Sequence, residues 1–427
     1  MLIPLSKEKF LSIFTKNVYE KIIKESSIRE KDLSFSEYKK ELGILYELVN
    51  SGNYCPNNPR EFLMLPKTEY VARTIPLLSY LDESFYYFAT KTIEEYIAEN
   101  RVENTFGGWR LGTKLKEKEN DDIELIKYVY NSYNPYLWTQ NWKNFLQIAK
   151  SFIDSGEFKY VIKFDISNFY DSINLNILFN KLFKAVPKDK AWCLDCLQFF
   201  LKYWNRKVDN YLPKSQGLPQ TEFGDQSRLL ANFYLQDYDQ TVKKTCDKYQ
   251  IKYVRYADDQ LLFLKDDDYK DVLLVINSEL NNIGLNLNSS KCKMFSIEEF
   301  SQYYLFEPLM LIDEKKYDES LIKFVDIYRA NTDVRYDTYL KRILGVSIGL
   351  DSFKKELIEP VIKEIIFTEK FLLFCNYKQL SATYKFLTDE QKIDYIVLLE
   401  RLKKKVKFNS VQIVIDRFFN SIDVKSS

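Results

Sequence analysis

The sequence predicts an α+β chain, a split βαβ sheet with helices on one face, followed by an α-helical C-terminal domain. Three observations carry this. Phe158, Tyr160, Ile162, Phe164 and Ile166 alternate at period two, the mark of a strand. Tyr253 to Leu264 reads as two apolar arms around Ala257-Asp258-Asp259, a tight hairpin. Helical stretches separate and follow these, giving the order strand, helix, helix, hairpin, helix, strand.

Residues 1–60 carry apolar positions at helical spacing (Phe10, Ile13, Phe14, Val18), then a turn at Ser51-Gly52-Asn53 and Pro56. Residues 61–80 read as extended, with a break at Pro66, and a helix follows from Asp82 to Ala98. Asn104 to Gly112 holds Gly107, Gly108 and Gly112 and reads as a loop, and Lys114 to Asn120 as charged and exposed. After the first strand comes a helical stretch from Leu175 to Trp204, then a loop from Pro213 to Gly224. Ser227 to Gln240 and Val272 to Ile283 are helical, and Gly284 opens the last strand of the sheet. Beyond residue 300, aliphatic stripes such as Leu350, Phe353, Leu357, Val361 and Ile365 predict helices, with Pro360 breaking that run. The divisions expected are an N-terminal helical extension (1–60), a central unit (61–300) and a helical C-terminal domain (301–427).

Composition restricts the chemistry. The 427 residues include no histidine, which removes a Ser-His-Asp triad, an HExxH zinc site and an HNH-type nuclease. Carboxylates, hydroxyls, thiols, Lys and Arg must do the work. Sixty-two basic residues face 61 acidic ones, so any polyanion would be gripped by local patches. One such patch is residues 181–214, with eight Lys/Arg against three Asp, which reads equally as a solvated face. The six scattered cysteines, the absence of an apolar run of about 18 residues and a start without signal-peptide features point to a cytoplasmic protein without membrane contact. Cys193 and Cys196 form a lone CxxC and read as apolar residues of a helix.

Two acidic sites stand out. Asp165 ends an apolar strand, and Asp258 and Asp259 sit at the tip of the hairpin, 93 residues on. Taken singly, these are an ordinary strand-end cap and an ordinary turn. In a split βαβ sheet, however, the two strands are neighbours. Three carboxylates at one edge repel one another unless hard divalent cations join them. Such a pair of cations activates a hydroxyl and stabilises a leaving pyrophosphate without any imidazole.

The surrounding residues resemble the reverse transcriptases. Tyr256-Ala-Asp-Asp resembles their YxDD motif, and Phe164-Asp165-Ile-Ser-Asn-Phe-Tyr170 their first catalytic motif. Gly217-Leu-Pro-Gln220 with Ser227 to Leu235 resembles the template- and nucleotide-contacting motif, and Gly284 to Lys291 the one after the hairpin. Leu65-Pro-Lys67 and Arg73-Thr-Ile-Pro resemble the fingers segment. The resemblance implies a right-hand polymerase with fingers and palm over residues 61–300 and a thumb-like helical domain after it. It makes Asp165 and Asp258 the main ligands of two Mg²⁺ (or Mn²⁺) ions, with Asp259 supporting and the Ile166 carbonyl completing the set. Tyr170 becomes the steric gate that favours dNTPs. Lys67 and Arg73 hold the triphosphate, Gln220 touches the incoming nucleotide, and Lys291 acts near the pyrophosphate as general acid or charge stabiliser. RNA is the template and DNA the product.

The third motif departs from the family pattern. Thr221 stands where Gly commonly follows Pro-Gln, and Gln220 to Asn232 spans twelve steps against about ten in retron and intron enzymes, so this segment, with Glu222 and Asp225, is expected to be reshaped. Without histidine the chain has neither the NAxxH signature of retron enzymes nor an HNH domain. What remains resembles the bacterial abortive-infection and unknown-group enzymes, which implies phage defence, a non-coding RNA partner and either a homo-oligomer or a partner protein. Untemplated or protein-primed DNA synthesis by the same site, an RNA-dependent RNA polymerase and a non-catalytic nucleic-acid scaffold are the competing readings.

Overall fold

The computed structural model describes residues 3–24, 33–57, 61–98, 101–108, 111, 114–117, 123–126, 138–205, 217–221, 224–266, 269–330, 336–344 and 348–423. The expectations for Gly112, for Lys118 to Asn120, for Glu222 and for the loop and basic residues between 206 and 216 lie outside these.

The chain forms two compact units. The first comprises residues 1–61 and 76–295, the second residues 62–75 and 296–427. The first unit is built on a five-stranded sheet in the order β3-β7-β8-β6-β9, formed by β3 (Thr105–Phe106), β6 (Tyr160–Phe164), β7 (Lys252–Tyr256), β8 (Asp259–Leu264) and β9 (Lys293–Ser296). β6 and β7 both pair antiparallel with β8, and β3 runs parallel to β7. The period-two strand and the hairpin are therefore sheet neighbours. A separate antiparallel pair is formed by β4 (Lys114–Glu117) and β5 (Ile123–Ile126).

Helices cover both faces of the five-stranded sheet, not one. Phe263 and Tyr256 meet Phe152, Phe145 and Trp142 of helix Trp138–Asp154. On the opposite face Tyr253, Arg255 and Gln260 meet Tyr238 and Asp239 of helix Gln236–Lys248. Sandwiching explains why β8 is buried at five consecutive positions after Asp259 instead of alternating.

Other boundaries shift for local reasons. The expected 175–204 helix is two, Leu175–Ala185 and Ala191–Tyr203, parted at Pro187. The 82–98 helix is likewise Tyr80–Lys91 and Glu94–Ala98. After Gly284 the pairing shrinks to one bridge, Ile166 with Leu287, before β9 begins. The helical N-terminal residues share one core with the sheet unit: Phe10, Phe14, Tyr38 and Leu45 belong to the same buried cluster as Phe164, Phe200 and Leu262. Cys193 and Cys196 are buried thiols in helix Ala191–Tyr203.

The second unit joins a short strand pair, β1 (Glu61–Pro66) and β2 (Ala72–Leu77), to the C-terminal helices. Asn409 accepts from the Met64 N–H at 2.8 Å and donates to the Phe62 carbonyl at 2.7 Å, and the Ser410 hydroxyl donates to the Met64 carbonyl at 2.6 Å. The unit has its own core, including Phe324, Tyr339, Ile358, Tyr395 and Phe418. Pro360 does not end its run. It sits inside helix Lys355–Val361, which passes straight into the π-turn Ile362–Ile366. Among the described residues no helix is long and apolar enough to cross a membrane.

Candidate active site

Register assembles the site. Phe164 pairs with Gln260 and Tyr256 with Asp259, so Asp165, one residue beyond β6, comes alongside the turn that joins β7 to β8. Asp165 is buried, while Asp258 and Asp259 are half-buried. Burial pushes the Asp258 carboxyl up to about 6, with Asp259 and Asp165 adding their charge. The three carboxylates thus sense one another at one sheet edge.

Two lysines reach into this charge. Lys163 donates to Asp259 Oδ1 at 2.5 Å, and Lys291 pairs with Asp165 Oδ2. Burial opposes the Lys291 charge, but Asp165, Asp258 and Asp259 outweigh it and hold the ammonium above its usual range. Lys291 is brought there by backbone pairing. The Asn288 N–H donates to the Asp165 carbonyl, and the Ser167 N–H to the Asn286 carbonyl, each at 2.8 Å. These bonds flank Ile166 and leave its own carbonyl unused by this pairing.

The sugar side is equally local. Tyr170 lies half-buried on the short helix Phe169–Ser172, whose preceding residue Asn168 is left-handed at φ 44°. The Tyr170 carbonyl accepts from the Leu218 N–H at 2.9 Å. This contact requires the glycine before Leu218, because a Cβ on Gly217 would lie 1.9 Å from the Tyr170 carbonyl oxygen. Gln220 follows, half-buried, and the Thr221 hydroxyl accepts from the Gly224 N–H at 3.0 Å. Asp225 opens the next helix and is held by Arg228 at 2.8 Å and by Lys21.

Lys67 and Arg73 stand in the other unit, both exposed, at the turn and on the second strand of the β1–β2 hairpin.

Among the described residues no three His, Cys, Asp or Glu side chains are grouped as a ready metal cage. The donor chemistry nonetheless suits a hard divalent cation. All the acidic atoms are oxygens, and Asp258 is raised first by burial and then by the charge of Asp259 and Asp165, the second of which a bound cation would relieve.

Residues 102–342, more than half of the chain, match the reverse transcriptase (RNA-dependent DNA polymerase) family. The chain belongs to that family. It is an RNA-directed DNA polymerase, a nucleotidyltransferase, and reverse transcriptase domains generally use divalent metal ions. No curated protein matches it closely. Similar solved structures include apo telomerase from Candida Tropicalis, at a TM-score of 0.37 and 11% identity over 94% of this chain and 73% of that one. Telomerase from Candida albicans, in complex with the TWJ fragment of telomeric RNA, follows at 0.30 and 12% over 88% and 74%. Both likenesses are too distant to say more about this reverse transcriptase.

The sequence reading missed several residues around the reverse transcriptase turn. Lys163 sat unremarked within the apolar strand. Gly107 and Gly108 read only as loop, yet Gly107 lies against the turn, where a Cβ would come 2.8 Å from the Ala257 nitrogen. The paired glycines in a sparing chain were the available signal.

Proposed function

We propose that the chain extends a 3′-hydroxyl with dNTPs on an RNA template, using two Mg²⁺ ions held by Asp165 and Asp258 with support from Asp259 and the Ile166 carbonyl. The observation that carries this is the β6–β8 register, which brings Asp165 to the Asp258-Asp259 turn. When bound, the cations supply Lewis acidity at the attacking and leaving oxygens. The 3′-oxygen bonds to the α-phosphorus, the bridge to the β-phosphate breaks, and pyrophosphate departs with its charge. Lys291, already drawn to the carboxylates, offsets that charge. Tyr170, braced through its carbonyl, lies beneath the sugar and refuses a 2′-hydroxyl. Lys67 and Arg73 hold the triphosphate, Arg in bidentate fashion, and Gln220 meets the incoming nucleotide.

The absence of histidine supports the abortive-infection and unknown-group branch over the retron branch. We therefore assign the enzyme to phage defence, with a non-coding RNA as its template partner and a cytoplasmic setting. The test supplies purified protein and its co-purified RNA with Mg²⁺ and either dNTPs or NTPs. DNA complementary to the bound RNA is expected from dNTPs, and none from a folded Asp258→Ala/Asp259→Ala variant. Undiminished synthesis by that variant overturns the site. Random or protein-linked DNA overturns templating, and RNA product overturns the choice of sugar.

A further inference from the structure

Behind the turn lies a charge that the reaction does not touch. Arg255 is wholly buried, with none of its surface exposed. Its guanidinium forks Asp239, with Nε donating to Oδ1 at 2.7 Å and Nη2 to Oδ2 at 2.5 Å. Nη2 also donates to Asn232 Oδ1 at 3.0 Å, and Nη1 to the Ala257 carbonyl at 2.9 Å. Burial opposes the charge, but Asp239 more than restores it, so Arg255 stays ionised. Tyr253 donates to the same Asp239 at 2.9 Å. One cation therefore ties helix Asp225–Tyr234, helix Gln236–Lys248 and the hairpin together.

Ala257 is the peptide that needs holding. It has φ 53°, the left-handed region, which a residue with a Cβ adopts at a cost. Asp258 follows immediately, so the aim of its carboxylate depends on that conformation. The Ala257 N–H donates to the Phe106 carbonyl at 3.1 Å, and β3 approaches this closely because Gly107 has no Cβ. Both backbone polar groups of the strained residue are thus pinned, its N–H by β3 and its carbonyl by Arg255.

We propose that Arg255 is a positioning residue for the polymerase reaction: by bonding the Ala257 carbonyl it holds the turn left-handed and so aims Asp258 at Asp165. The inference rests on the assignment of Asp258 above. Lysine in its place keeps a charge for Asp239 but lacks the planar fork that reaches three partners at once.

Hydrogen exchange reads the lock in the protein without added cation, and steady-state DNA synthesis with Mg²⁺ reads its consequence. In the unaltered protein, amides 256–258 should exchange as slowly as the β6–β8 core. Arg255→Lys should open those amides while β6 and β8 stay protected. It should also lower kcat about ten- to a hundred-fold with little change in the KM for dNTP. Ala257→Gly added to Arg255→Lys should recover most of the lost turnover, since glycine takes a positive φ without strain. Fast exchange of the turn in the unaltered protein overturns the proposal even if Arg255→Lys does not fold. So does unchanged exchange and turnover in Arg255→Lys, or a double variant no faster than the single one. If instead Asp258→Ala/Asp259→Ala still makes DNA while the exchange pattern holds, the carboxylate assignment fails and the lock stands.

Discussion

Replacing Asp258 by Asn should stabilise the protein in EDTA, and by an amount that depends on pH. Burial, then Asp259 and Asp165, push the carboxyl from its ordinary 3.8 to about 6. Between those values the folded chain holds a proton that the unfolded chain has released, so raising the pH across that window costs stability. At about 1.4 kcal/mol per pH unit the gap has a ceiling of about 3 kcal/mol. Asp258 is only half-buried, so water screens part of the cost and about 1–2 kcal/mol remains. Asparagine keeps the shape without the charge. At pH 8 in EDTA, Asp258→Asn should therefore melt a few degrees above the parent. The difference should shrink as the pH falls through 6 and vanish below 3.8. Adding Mg²⁺ should then raise the parent by mass action and leave the variant behind. Calorimetry over pH 3–8, with and without Mg²⁺, measures both effects. An Asn variant no more stable than the parent at pH 8, or an equal Mg²⁺ gain in both proteins, refutes the electrostatic account of the site.

Two further perturbations probe the sugar side. Gly217→Ala would place a Cβ 1.9 Å from the Tyr170 carbonyl oxygen and 2.9 Å from the Asp171 carbonyl carbon, both backbone atoms that must shift. A loss of about 1–3 kcal/mol in urea unfolding is expected, together with weaker discrimination against rNTPs. Tyr170→Ala should raise ribonucleotide incorporation in a primer-extension assay, and unchanged selectivity removes Tyr170 as the gate.

The sheet was readable because β6 and the hairpin carry apolar side chains at strand spacing, and the carboxylates because they stand inside recognisable motifs. Arg255 was not readable. In sequence it is one basic residue in a strand, and only folding brings Asp239 and Asn232 from two helices to it. β3 is two residues long, too short for any periodicity, and its role rests on register with β7. The sheet's second helical face was foreshadowed only by the unbroken apolar run Leu261 to Leu264, which a strand covered on both sides carries in place of alternation. The association of residues 62–75 with the C-terminal helices depends on bonds between Phe62, Met64, Asn409 and Ser410, more than 340 positions apart. Pro360 misled because it lies within the first two turns of helix Lys355–Val361, which a π-turn continues.

The shared core of the first unit bears on how this polymerase is cut for study. Phe10, Phe14 and Tyr38 lie in one buried cluster with palm side chains, and Lys21 pairs with Asp225 at the head of a motif helix. A fragment trimmed to the matched residues 102–342 would turn that apolar surface to water and strip one partner from a buried carboxylate. A fragment of the recognisable catalytic segment alone is therefore expected to be less stable than one that keeps the N-terminal helices. Minimal expression boundaries belong where the core ends, at the N-terminal helices, and not where the motifs begin.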